Sequence, residues 1–144
     1  MIPVKIRLKE GAKLPEYQSI GAAGADLCAL VDEPVLLSPG KTALVPTGLF
    51  VEIPDGYEAQ IRPRSGLALK HGITFLNSPG TIDSDYRGEI SIIMTNLGER
   101  DFTVEHGMRI GQIIFSKVYR GEFIVKEGLN ETDRSHGGFG HTGV

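Results

Sequence analysis

The sequence predicts an all-β domain with one short helix and a glycine-rich C-terminal arm. Three observations carry that expectation. Glycine makes up 19 of the 144 residues, roughly double its usual share. Together with eight prolines, it breaks the chain every several residues. Between the breaks lie short runs rich in β-branched and aromatic side chains, and a single segment reads as helix. Short strands at regular spacing between turn signals indicate a sandwich, a barrel or a jelly roll.

The expected strands are 42–53, 57–62, 89–96, 101–104, 110–118 and 122–125. Ile53-Pro54-Asp55-Gly56 and Asn96-Leu97-Gly98-Glu99 read as turns, because proline presets φ and glycine accepts a positive φ. The helix is expected over 65–72. Ser65 serves as its N-cap, Leu67, Ala68 and Leu69 favour helix, and Gly72 stops it. No repeat, low-complexity tract or linker divides the chain. Residues 1–144 are therefore expected to be one domain, with 131–144 as a mobile arm.

Bulk properties exclude several classes of function. A hydrophobic content of 40% and a charged content of 23% suit a soluble globular protein with a real core. No apolar run approaches the roughly 18 residues needed to span a bilayer, and residues 1–5 carry no signal-peptide pattern. The lone Cys28 has no internal disulfide partner, which suits a reducing, cytoplasmic setting. A net charge of −3 disfavours nucleic acid as a partner. An anionic ligand would need local arginines and backbone N–H groups, which points to a small phosphorylated compound.

Three sequence signals are set aside. Pro39-Gly40-Lys41-Thr42 contains the Gly-Lys-Thr of a P-loop, but Val35 stands where the first glycine is required. His136 and His141 lie with Asp133 on glycine-rich chain without the helical spacing of a zinc site. Asn130-Glu131-Thr132 matches a glycosylation sequon but lacks the secretion signal that would give it meaning.

Three segments carry chemistry. Arg62-Pro63-Arg64 precedes the N-terminus of the expected helix, where N–H groups and the Ser65 hydroxyl favour an anion. A capped surface turn with solvated arginines would read the same way. Residues 77–90 form a dense loop. There Ile82 is expected to desolvate Asp83 in part and so prepare it as a general base toward water. Asp85 and Glu89 are expected to be solvated. Tyr86 offers a ring to a sugar, and Asn77 can read a base edge. An Asp-rich turn with a core tyrosine is the alternative. In the tail, Arg134 offers a forked donor, four glycines expose N–H groups and Phe139 offers a stacking face. A frayed terminus of the same composition remains the alternative.

Taken in order, five segments resemble the trimeric all-β dUTPase family over nearly the whole chain. They are Ala23-Gly24-Ala25-Asp26-Leu27; Pro63-Arg64-Ser65-Gly66-Leu67-Ala68; Asn77 through Gly88; Gly107-Met108-Arg109-Ile110-Gly111-Gln112-Ile113; and Arg134 through Gly143. His141 lies where many members carry serine. The resemblance implies a jelly-roll-like β-barrel and a homotrimer with shared active sites. It implies hydrolysis of dUTP to dUMP and pyrophosphate, which keeps uracil out of DNA and supplies dUMP for thymidylate synthesis. Mg²⁺ would arrive on the triphosphate.

Carried over by position, Asp83 is the catalytic base and Tyr86 packs under the deoxyribose, excluding a 2′-OH. Asn77, with the backbone of Gly80, Thr81 and Ile82, reads uracil. Arg64, Ser65, Gly66 and Gln112 hold phosphates, and Asp26 touches the hydrated metal through water. Arg134, with the backbone of Gly140, His141 and Thr142, holds the terminal phosphate, and Phe139 stacks over uracil. Two rivals stand beside this reading. A dCTP deaminase shares the fold but needs a catalytic glutamate in the central loop, where this chain has Ile82-Asp83-Ser84-Asp85-Tyr86. A non-catalytic dUTP-binding or structural jelly-roll module is disfavoured by the presence of both Asp83 and the arm.

Overall fold

A computed structural model describes residues 1–139 and 141. The elements in chain order are β1 (Lys5–Leu8), β2 (Ala25–Cys28), β3 (Val35–Leu37), β4 (Thr42–Glu52) and β5 (Tyr57–Arg62). They continue with α1 (Ser65–His71), β6 (Ile73–Phe75), β7 (Gly80–Ile82), β8 (Ile90–Asn96), β9 (Phe102–Val104) and β10 (Arg109–Lys117). Two four-stranded antiparallel sheets, ordered β1-β4-β8-β6 and β2-β10-β5-β7, are joined by a β3-β9 pair. The fold is all-β, in a jelly-roll-like arrangement. Alternation along the strands sends Val45, Leu49, Ile90, Ile92 and Met94 of the first sheet into the core with Leu27, Ile61, Ile110 and Ile113 of the second.

The expected strand at 42–53 holds its ends but is not continuous. Its pairing with β8 shifts between Pro46 and Leu49, leaving Thr47 and Gly48 as a bulge. Proline cannot donate to a ladder, so a bulge is where an inner strand tolerates it. Gly48 has φ of +69°, and its N–H donates to Glu89 Oε1 at 2.9 Å. The Thr47 hydroxyl donates to the Ile90 carbonyl at 2.6 Å. Glu89 is thus half-buried and structural, not solvated as expected.

At the turn after β8, Gly98 does not use a positive φ. It is needed because a Cβ there would stand 2.3 Å from the His71 carbonyl oxygen. Asn96 beside it is fully buried. It donates to the carbonyls of Leu37 and Arg100 and accepts from Gly98 N–H, each at 2.8 Å. A buried amide so satisfied ties the β3-β9 pair to the main sheet.

The expected strand over 122–125 is absent. Residues 117–136 are all exposed, and Phe123 and Val125 are almost wholly so. The run alternates like a strand, yet no edge within its own chain pairs with it. The expected N-cap is also displaced: Arg64 is the N-cap of α1, and no side chain caps it. Gly72 does end α1, at φ of +67°.

Candidate active site

The bulge in β10 is the device that assembles the first half of the site. β10 pairs Gln112 with Asp26 and Arg109 with Cys28, and one extra residue slips in between Arg109 and Gly111. Ile110 and Gly111 therefore both face the core. Without the slip, strict alternation would put Arg109 and Gln112 on opposite faces. With it, both lie on the outer face, flanking Asp26. Gly111 must be glycine, because a Cβ would come within 2.9 Å of Ile92 and 3.0 Å of Phe75 on the opposing sheet.

Asp26, half-buried, lies between two guanidinium groups. Arg64 Nε is 3.2 Å from its Oδ1 and Arg109 Nη1 is 3.1 Å from its Oδ2. Arg64 Nη1 also donates to the Arg109 carbonyl at 3.2 Å. Two cations around one carboxylate leave a net positive centre, suited to an anion. Gln112 Nε2 donates to the Pro63 carbonyl at 2.9 Å, which fixes the side chain beside the start of α1. Gly24 makes room for it, since a Cβ there would lie 2.3 Å from Gln112 Oε1. Ser65 and Gly66 are exposed in the first turn of α1, whose leading N–H groups have no intrahelical acceptor. Arg62 does not join this group; its guanidinium donates to Gln60 Oε1 at 2.6 Å. Arg109 was not among the residues singled out from the sequence. Its signal is visible only once the bulge is known. Cys28 lies on the same face, and burial pushes its thiol up, so it stays neutral beside the cluster.

The second half is the loop after β7. Tyr86 N–H donates to the Asp83 carbonyl at 3.1 Å, and Arg87 Nη1 donates to the carbonyls of Ser84 and Tyr86 at 2.6 and 2.9 Å. The Tyr86 hydroxyl donates to the Glu89 carbonyl at 3.1 Å, leaving the ring half-exposed. Gly88 lies directly beneath it: a Cβ there would sit 2.2 to 2.8 Å from Tyr86 ring and hydroxyl atoms. Thr81, Ile82, Asp83 and Tyr86 share a cavity of about 340 Å³ with Leu44 and Ile93. Asn77 is exposed at its edge, its amide nitrogen 3.4 Å from where a Gly80 Cβ would be. Asp83 is exposed. The expected desolvation by Ile82 is not achieved, because Ile82 packs toward the core and leaves the carboxylate to solvent.

One chain does not bring the two halves together. On β5, Arg62 pairs with Gln112, whereas Ala59 pairs with Ile82. At about 3.3 Å per residue and about 4.8 Å per strand, the backbones of Asp83 and Gln112 stand roughly 16 Å apart. Among the described residues, the arm joins neither half. Arg134 Nε donates to the Gly137 carbonyl at 2.9 Å, Phe139 is fully exposed and His141 N–H donates to the Gly138 carbonyl at 3.1 Å. Gly140 and Thr142 lie outside the described residues.

Known proteins resemble this chain in sequence and in fold. A family profile described as dUTPase matches residues 10–143. A deoxyuridine 5'-triphosphate nucleotidohydrolase of Chlamydia pneumoniae is 62% identical over 138 residues, covering 95% of each chain. The dUTPase of Staphylococcus bacteriophage 80alpha, solved with dUPNHPP, superposes with a TM-score of 0.89 at 25% identity over 99% of both chains. A dUTPase mutant from phage phi11 of S. aureus, described as coordinating a structural Mg(II) ion, superposes at 0.79 with 23% identity over 88% of this chain and 97% of its own. With a profile spanning residues 10–143 and a relative identical at well over half its positions, this chain belongs to the dUTPase family.

Proposed function

We propose that this chain hydrolyses dUTP to dUMP and pyrophosphate at sites that neighbouring chains of a homotrimer complete for one another. The activity is that of a dUTP diphosphatase. The observation that carries the site reading is the loop after β7. One short turn presents a carboxylate, Asp83, beside a tyrosine ring whose hydroxyl is already engaged on the Glu89 carbonyl. That pairing suits a sugar packed on Tyr86 with a water beside it. Sharing between chains is supported by the roughly 16 Å separation, since one chain's Asp83 does not lie beside its own Gln112.

In this reading Asp83 takes a proton from water as the oxygen attacks phosphorus. The bond between the α- and β-phosphates breaks, and pyrophosphate leaves. Arg64, Ser65, Gly66 and Gln112 hold phosphate oxygens, which gain charge as the bond breaks. Tyr86 excludes a ribose 2′-OH, and Asn77 with the backbone of Gly80, Thr81 and Ile82 reads uracil. Arg134 and the arm through Thr142 close over the terminal phosphate, Phe139 stacks on the base, and bulk water is excluded.

The donor set suits Mg²⁺ carried in by the triphosphate. Among the described residues, no three His, Cys, Asp or Glu side chains gather as a cage. Both Asp26 oxygens already hold arginines, which fits contact through the ion's water shell. When bound, the ion would neutralise phosphate charge. No helix among the described residues is long and apolar enough to cross a membrane.

The test is product analysis with dUTP and dCTP in parallel. Pyrophosphate release from dUTP alone is expected. Ammonia release from dCTP would instead make the chain a deaminase, and tight dUTP binding without turnover would make it a binding module.

A further inference from the structure

Arg109 occupies a place that none of the phosphate-binding roles uses. It sits across the ladder from Cys28, while Gln112 sits across from Asp26. Its side chain lines a cavity of about 670 Å³ with Lys13, Glu16 and Cys28, and Asp26 forms the near wall. Neither Arg64 nor Gln112 lines that cavity. Arg109 therefore meets Asp26 at the oxygen that Arg64 does not hold, and it reaches Arg64 in two ways. Its guanidinium holds Asp26 Oδ2 while Oδ1 holds Arg64 Nε, and its own carbonyl accepts from Arg64 Nη1.

We propose that Arg109 is a positioning residue for dUTP hydrolysis: it anchors Asp26 through Oδ2, and with its main-chain carbonyl it fixes Arg64 so that the remaining edge of that guanidinium faces the phosphates. This rests on the reading of Arg64 as a phosphate ligand. The physical argument concerns the carboxylate. A carboxylate between two arginines is divided between them, one oxygen each. Without the Arg109 side chain, Asp26 is free to turn and take Arg64 in a two-pronged pair, the geometry arginine and carboxylate prefer. Arg64 would then be drawn inward and its charge spent on Asp26. The bulge at Ile110 and Gly111 is what makes the arrangement available, since it places Arg109 on the same face as Asp26.

The test is a double-mutant cycle with Arg109→Met and Asp26→Asn, read by binding of a non-hydrolysable imido analogue of dUTP, by binding of deoxyuridine and by pyrophosphate release. Arg109→Met alone is expected to weaken the analogue about five- to thirtyfold, the range of coupled neighbours, and to leave deoxyuridine within about twofold. In the Asp26→Asn background the same change is expected to alter analogue binding by less than about twofold, because the residue acts through Asp26. Arg109→Lys, which keeps the charge but not the fork, is expected to fall between wild type and Arg109→Met. It also carries the cycle should Arg109→Met fail to fold. Equal losses in both backgrounds would mean that Arg109 meets the phosphates directly, and would overturn the proposal. So would an unchanged analogue affinity, or a parallel loss for deoxyuridine. If the wild-type chain itself released no pyrophosphate from dUTP, the functional reading would fall first, separately from the role of Arg109.

Discussion

The two halves of the site are held in opposite ways. Asp26, Arg64, Arg109 and Gln112 come from three separate stretches of chain, and sheet register with cross-strand ion pairs joins them. Asp83 and Tyr86 sit three residues apart on one loop, held by bonds among residues 83–89, with Glu89 tied in turn to Gly48. The first half is half-buried and finished within one chain. The second exposes Asp83 and Tyr86, and in the arm Arg134 and Phe139 are exposed as well. If a neighbouring chain completes the site, the half held by sheet register stays in place while the loop and the arm are supplied to it.

The strongest way to break that contrast is at Asp83. Asp83→Asn keeps the loop's backbone bonds and removes the base. Turnover should fall at least about a hundredfold, the scale of general-base catalysis. Binding of the imido analogue should change little, because the phosphate grip is on the other half. Near-normal kcat would remove Asp83 from the chemistry.

Next in size is the arm. Ending the chain at Asp133 removes an arm none of whose described residues belongs to the core. Melting should shift by no more than a few degrees while turnover falls by about tenfold or more, since the lid is lost. A truncated protein that no longer folds cooperatively would show the arm to be structural.

Much of the rigid half was legible beforehand, and the reasons are physical. β5 matches its expected range of 57–62, and β4, β8, β9 and β10 lie within a residue of theirs. Each is bounded by a glycine, a proline or a charged turn. β1, β2, β3, β6 and β7 were not anticipated. They have only three or four residues each, too few to show a period of two. The bulges at Thr47-Gly48 and at Ile110 leave no mark on composition, so Arg109 could not be placed beside Asp26. The strand expected over 122–125 failed for another reason. Phe123 and Val125 alternate as a strand would, but pairing is a property of the partner edge as much as of the segment. The desolvation expected at Asp83 failed because Ile82 turns toward the core and leaves the neighbouring carboxylate exposed.

Mixing sharpens the comparison further. Combine Asp83→Asn chains bearing an intact arm with chains that keep Asp83 but end at Asp133, then unfold and refold them in equal amounts. In a cyclic trimer, about three-quarters of the assemblies are mixed, and each has about one complete site in three. About a quarter of wild-type activity should return. A mixture as inactive as its components would mean that Asp83 and the arm of each site come from the same chain.

The smallest expected effects come from one substitution made in both halves. Gly111→Ala puts a methyl against Ile92 and Phe75 in the packed interface between the sheets. Those side chains are nearly fully buried and have nowhere to retreat. The cost should be about 1–3 kcal/mol of stability, as for other overpacked cores, read by denaturant unfolding. Gly88→Ala puts the same methyl against Tyr86, whose half-exposed ring can swing outward. Stability should change by less than about 0.5 kcal/mol, as at a surface site. What moves instead is the platform under the sugar, so discrimination between dUTP and UTP should weaken severalfold while Gly111→Ala leaves it intact. If both variants lost stability equally and kept their discrimination, Tyr86 would be a packing residue, and the loop after β7 would be as rigid as the half it is contrasted with.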